Sequence, residues 1–102
     1  FQVVSANWIA QMTAASPANP NYGLQVWLGS PHAPLRKYSA ASPLAIPAKA
    51  PFARDDVIFL DGAGAQRVYI VPSERLTIVR IGKPTIKWDD SAMPNMILDA
   101  LK

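Results

Sequence analysis

The sequence predicts an α+β fold: an antiparallel sheet with an N-terminal and a C-terminal helix. Three observations lead there. Apolar residues at helical spacing occur near the two ends of the chain, as in Trp8 and Met12 or Met93, Ile97 and Ala100. Between them, Tyr22 to Leu28, Val57 to Leu60, Arg67 to Val71 and Leu76 to Ile81 are rich in β-branched and aromatic residues. The last two of these runs are separated only by Pro72-Ser73-Glu74-Arg75, a length and composition that suit a hairpin.

The elements follow in chain order. Ser5 is an N-cap for a helix through Ala6 to Met12. Ser16-Pro17-Ala18-Asn19-Pro20-Asn21 stops it, because each proline disfavours helical geometry in the residue before it. Tyr22, Leu24, Val26 and Leu28 alternate with Gly23, Gln25 and Trp27, the period of a strand. Residues 30–55 carry Pro31, Pro34, Pro43, Pro47 and Pro51 with no clear period. They read as a long Pro-rich loop, either a functional lid or mobile insertion or a surface excursion. Val57-Ile58-Phe59-Leu60 is continuously apolar, as in a strand buried on both faces. Asp89-Asp90-Ser91 offers caps for the last helix, with Pro94 in its first turn and Met93, Met96, Ile97, Ala100 and Leu101 as its apolar face.

A chain of 102 residues, half of them hydrophobic and 17% charged, is enough for one small domain and too short for two. It has no cysteine, which removes disulfides, thiolate zinc sites and a cysteine nucleophile. The net charge is +3, but the basic residues are scattered, so no nucleic-acid partner is expected. No apolar stretch approaches the roughly 20 residues of a membrane span. His32 is the only histidine and sits among prolines, the setting of a surface residue. No spacing of His, Asp and Glu suggests a metal, and no cofactor is expected. Trp8, Trp27 and Trp88 read as core. Asp55-Asp56 reads as the solvated start of a strand.

The small-residue loop Gly62-Ala63-Gly64-Ala65 is, from its residues alone, a bend or bulge beside a strand. Its context says more. Asn19-Pro20-Asn21-Tyr22-Gly23, then Gly62-Ala63-Gly64-Ala65-Gln66, then Val71-Pro72-Ser73, then Trp88-Asp89-Asp90-Ser91 occur in this order along nearly the whole chain. The ordered set resembles the C-terminal part of the serine beta-lactamase and penicillin-binding-protein superfamily. Within it, the branch of class C beta-lactamase-like esterases and 6-aminohexanoate-oligomer hydrolases is the nearest in pattern. The resemblance implies that residues 1–102 are a C-terminal segment of a larger beta-lactamase-like fold. It implies that the backbone N–H of Ala63 is an oxyanion-hole donor, with Gly62 and Gly64 leaving room for the substrate carbonyl. Such a donor in a water-excluded site is worth roughly 3–4 kcal/mol to an acyl-transfer transition state.

Two departures shape the expectation. Many members carry Lys-Thr-Gly or His-Thr-Gly where this chain has Gly62-Ala63-Gly64, and Asp61 even adds the opposite charge. That favours an esterase or amidase over a true beta-lactamase. The nucleophile is also missing: no serine has a lysine three residues on, and no tyrosine starts Tyr-x-Asn. These elements are expected upstream in a parent protein, which fits a chain starting at Phe1 as an excised piece. The expected partners are then the remainder of the parent hydrolase, or a second copy of the chain, with a small-molecule ester or amide as the parent's substrate. Many family members are periplasmic or secreted. The alternative reading is a non-catalytic α+β binding or assembly module whose sheet recruits a partner strand.

Overall fold

In the computed structural model, which describes residues 2–102, the core begins with one row of side chains across a four-stranded antiparallel sheet. The strands are β1 (Trp27–Leu28), β4 (Ile58–Gly62), β5 (Gln66–Val71) and β6 (Leu76–Arg80), in the spatial order β1-β4-β5-β6. Register places Trp27 opposite Phe59, Phe59 opposite Tyr69, and Tyr69 opposite Ile78. All four side chains are buried, and Val57, Val71 and Leu98 complete the cluster. The next row, Leu60, Val68 and Val79, lies on the other face.

That alternation corrects one expectation. The run Val57 to Leu60 is not buried on both faces: Val57 and Phe59 are buried, while Leu60 is 42% exposed. Its apolar continuity hides a period of two. The fold class is as the sequence predicts, α+β with a helix at each end. Helix α1 (Ala6–Met12) starts at Ser5, whose Oγ accepts the Trp8 N–H at 3.1 Å. None of its residues is buried, so Trp8 is a surface residue and not core.

The strand expected over Tyr22 to Leu28 is shorter. Only Trp27–Leu28 is strand, and Tyr22 folds back as an isolated bridge to Trp27. Gln25, at φ 62°, turns the chain. The Gly23 N–H donates to Val26 O at 2.9 Å, and the Leu28 N–H to Asn21 O at 2.7 Å. Asn21 is itself buried and donates its side-chain amide to Leu28 O and Pro31 O. Gly23 has to be glycine, since a Cβ there would collide with the Met12 carbonyl.

Residues 30–55 are not structureless. They hold a second sheet, β2 (Leu35–Lys37) paired antiparallel with β3 (Ala45–Pro47), with Arg36 opposite Ile46. Two strands of three residues cannot hold together alone. Tertiary contacts fix them: the Asp90 N–H donates to Pro47 O at 2.8 Å, and Arg36 donates to Asp90 Oδ2 at 2.8 Å. Pro47 tolerates its strand-end position because it has no ladder donor to lose.

Helix α2 (Ala92–Ala100) covers the core with Pro94 and Leu98, and with the half-buried Met93 and Ile97. Met96, Ala100 and Leu101, expected on its apolar face, point to solvent. The expected capping also differs. Ser91 makes no side-chain cap bond; it donates through its N–H and Oγ to Asp89 Oδ1, and Asp90 turns into the interior. Asp56 is not merely solvated either, since it accepts from the N–H and Oγ of Ser73 and so ties β4 to the β5–β6 turn. Among the described residues, no helix is long and apolar enough to cross a membrane.

Candidate functional site

The β4–β5 hairpin closes through Ala63-Gly64-Ala65. Gly64 and Ala65 both have positive φ, 73° and 65°, the left-handed region that glycine enters freely and alanine rarely. Glycine is required at position 64 for a second reason. A Cβ there would stand 2.8 Å from Pro84 Cβ. The carbonyl side of the turn is pinned: Gly64 O accepts from the Thr85 N–H at 3.1 Å, and Ala65 O accepts from Arg80 Nη1 at 3.0 Å. The Gln66 side-chain amide bonds both the N–H and the carbonyl of Gly82 at 2.9 Å, extending the ladder past the end of β6. Ala63 is exposed at the tip.

Beneath the tip lies a closed ring of four charges. Arg67 occupies an inward position of β5, and Asp61 stands opposite it on β4. Arg67 Nη1 donates to Asp61 Oδ1 at 2.8 Å, and Arg67 Nε to Asp90 Oδ1 at 3.2 Å. Arg36, reaching in from β2, donates through Nη2 to Asp61 Oδ2 at 2.7 Å and through Nε to Asp90 Oδ2 at 2.8 Å. Tyr38 adds its hydroxyl to Asp61 Oδ2 at 2.8 Å. The Arg36 guanidinium also lies 4.3 Å from the Trp27 ring centroid and 5.1 Å from that of Phe59. Every carboxylate oxygen of the ring has a partner, and the two positive and two negative charges cancel. Arg36 Nη1 alone is buried without one among the described residues.

The ring sets the electrostatics. Burial pulls the Arg36 guanidinium down, but its hydrogen bond and attraction to Asp90, with those to Asp61, outweigh burial and hold it above its ordinary value. Burial first, then Asp61, pushes the Tyr38 phenol up. Burial does the same to Tyr69, against the opposing hydrogen bond that Trp88 Nε1 donates to its oxygen at 3.2 Å.

Between the hairpin tip and the second sheet is a cleft of about 240 Å³. Gly62, Ala63 and Gly64 line it on the hairpin side and Tyr38, Leu44 and Ile46 on the side of the second sheet, with Trp88 and the exposed Ile86. Asp61 and Arg67 are its floor. The three residues singled out from the sequence are consecutive, and all three line this cleft. The opposite wall and the ring were not foreseen. One signal for the ring was present: Arg67 shares the parity of Tyr69 and Val71 on an amphipathic strand, so its side chain had to point inward and find a counter-charge. His32 is exposed and holds Ala48 O at 2.7 Å through Nε2. No group of three metal-ligating side chains comes together among the described residues.

The hydroxyls that line the cleft are those of Tyr38, which donates to Asp61 Oδ2, and of Thr85, which donates to Lys87 O. No family model, curated protein or solved structure matches the chain.

Proposed function

We propose that this chain is the C-terminal segment of a serine hydrolase of the beta-lactamase-like superfamily. The parent attacks an ester, amide or lactam carbonyl with an upstream serine, forms an acyl-enzyme and hydrolyses it. This segment supplies one wall of the cleft and an oxyanion donor, the Ala63 N–H. The observation that carries the reading is the small-residue turn Ala63-Gly64-Ala65, which lines a cleft and whose carbonyls at Gly64 and Ala65 are pinned. A backbone donor already held in place by its turn stabilises a developing oxyanion without reorganising. The departure from Lys-Thr-Gly at Gly62-Ala63-Gly64 supports an esterase or amidase.

Two measurements test it. The isolated chain should not turn over a chromogenic ester or cephalosporin, nor be labelled by a fluorophosphonate. In the parent protein, Ala63→Pro removes the N–H at a position that is not left-handed. Loss of one oxyanion donor should lower kcat by roughly 10²–10³ with the fold retained. A parent gene without Ser-x-x-Lys, or an Ala63→Pro enzyme of unchanged kcat, refutes the proposal.

A second reading is supported by the sheet edge. Among the described residues β6 pairs only with β5, which leaves it an edge strand that could take an added strand. On this reading the chain is a binding or assembly module, and its partner is a second copy or the rest of the parent. Light scattering across concentrations decides: a strict monomer excludes self-association, and a dimer abolished by Val79→Pro places the contact on β6.

A further inference from the structure

We infer that the cleft between the hairpin tip and the second sheet binds a small monocarboxylate with an apolar body, its carboxylate on Arg67 and its chain against Leu44, Ile46 and Ile86. The inference needs neither a nucleophile nor an oxyanion donor, so it stands apart from the hydrolase reading. One nitrogen carries it. The Arg67 side chain is only 1% exposed. Its Nε donates to Asp90 Oδ1, and its Nη1 to Asp61 Oδ1, Gly62 O and Gln66 O. Arg67 Nη2 has no partner among the described residues. Among them, the one unpartnered side-chain nitrogen sealed from solvent is Arg36 Nη1, so Arg67 Nη2 keeps contact with solvent. Arg67 lines this cleft, and the contact is made there. A guanidinium fixed by its other bonds and open at one N–H is a charge-assisted donor held ready for an anionic oxygen.

The local charge selects an anion. Asp61 and Asp90 offset Arg36 and Arg67. Arg80 is left over. Its Nη1 donates to the carbonyls of Gly64 and Ala65, two residues that line the cleft, and its guanidinium lies 5.1 Å from the ring centroid of Trp88, a third. Among the described residues no carboxylate pairs with it. Three guanidinium groups therefore border the cleft against two carboxylates, and a single ligand carboxylate closes the balance. A charge taken out of water is tolerated when it is paired and hydrogen-bonded, as this one would be. An ammonium group would add to the surplus instead. The remaining lining is mostly apolar, and Leu44 and Ile86, at 65% and 101% exposed, gain by being covered. At about 30 Å³ per water-sized unit, the volume of about 240 Å³ holds roughly eight non-hydrogen atoms, the size of pentanoate.

The test titrates pentanoate, pentanamide and pentylamine into the 102-residue chain, followed by NMR of guanidinium, backbone and methyl groups. Pentanoate should saturably shift the Arg67 guanidinium signals, the Gly62 and Gly64 amides and the Ile46 methyls. It should bind about tenfold more tightly than pentanamide, the margin of a charge-assisted over a neutral hydrogen bond. Pentylamine should shift none of them. Affinity should rise about fourfold per methylene from propanoate to pentanoate, the increment of one buried CH₂. Ile86→Ser alters a fully exposed residue, so the fold is kept, and it should weaken pentanoate severalfold. Arg80→Gln should weaken pentanoate severalfold and leave pentanamide unchanged, a split that loosened packing would not produce. Pentanamide binding as tightly as pentanoate, saturable binding of pentylamine, shifts that map elsewhere, or an Arg80→Gln chain that keeps its full preference for the acid would each overturn the inference. A parent without a serine nucleophile removes the hydrolase reading and leaves this one standing.

Discussion

Asp90→Ala is expected to destabilise the protein by about 3–5 kcal/mol, the cost of breaking a buried ion pair by removing one partner. The side chain of Asp90 is 1% exposed and accepts from both Arg36 Nε and Arg67 Nε. Alanine would leave two guanidinium groups in the interior facing a single carboxylate. Arg36 already carries one unpartnered nitrogen, so it has nowhere to turn. Against a total stability of roughly 5–15 kcal/mol for a domain, the loss is a large fraction. At about 4–8 °C per kcal/mol for a domain near 100 residues, thermal unfolding followed by circular dichroism should fall by at least about 12 °C. Asp90→Asn, which keeps acceptor oxygen but not charge, should fall between. The reverse experiment separates pairing from packing. Replacing all four ring residues by apolar groups of similar volume is expected to cost less than Asp90→Ala alone, because no charge is left stranded. A change under about 1 kcal/mol for Asp90→Ala would mean that water reaches the ring and that it behaves as a surface pair.

The ring also explains what could and could not be read from the sequence. The β4, β5 and β6 strands and the two helices are legible because their signals are local: alternation, a Pro-Ser turn, a serine cap. Ala63 and Gly64 were legible as a loop beside a strand for the same reason, while Gly62, read with them, is the last residue of β4. The β2–β3 pair was not. Its strands are three residues each, and what holds Arg36 in place lies 25 and 54 residues away, at Asp61 and Asp90. No window of sequence contains that pairing. The same distance misled the reading of Asp90, whose position before a helix satisfies the local rule for a cap while its partners lie in the core. Tyr22 to Leu28 failed differently. Its alternation is genuine, but Asn21 captures the carbonyls of Leu28 and Pro31, and the chain turns at Gln25 rather than extending. As for the site, one wall came from a single loop and was visible. The other comes from residues 38–46 and 86–88, which lie far from it in the sequence.

The second large effect is expected at Phe59, which joins that ring to the hydrophobic core. Phe59→Ala should cost about 3–5 kcal/mol, as for other buried aromatic truncations. Phe59 is 1% exposed and stands in the middle of the buried row, with Trp27 and Tyr69 as its cross-strand neighbours. Its ring centroid lies 5.5 Å from that of Tyr69 and 5.8 Å from that of Phe52. Truncation therefore removes contacts on several sides at once, and neighbours fixed by strand pairing and by helix α2 can close the gap only in part. It also uncovers the Arg36 guanidinium, 5.1 Å from the ring. Phe59→Leu retains much of the volume and should cost clearly less, by the volume dependence of core substitution. If loss of volume dominates, Phe59→Ala and Asp90→Ala will add when combined. If Phe59 mainly keeps water from the ring, the double variant will be less destabilised than the sum, because a ring already broken gains from hydration. Chemical unfolding of the two single variants and the double variant measures that coupling directly. Coupling near zero would assign Phe59 to the hydrophobic core alone, and a loss under about 1 kcal/mol for Phe59→Ala would contradict its place at the centre of the sheet.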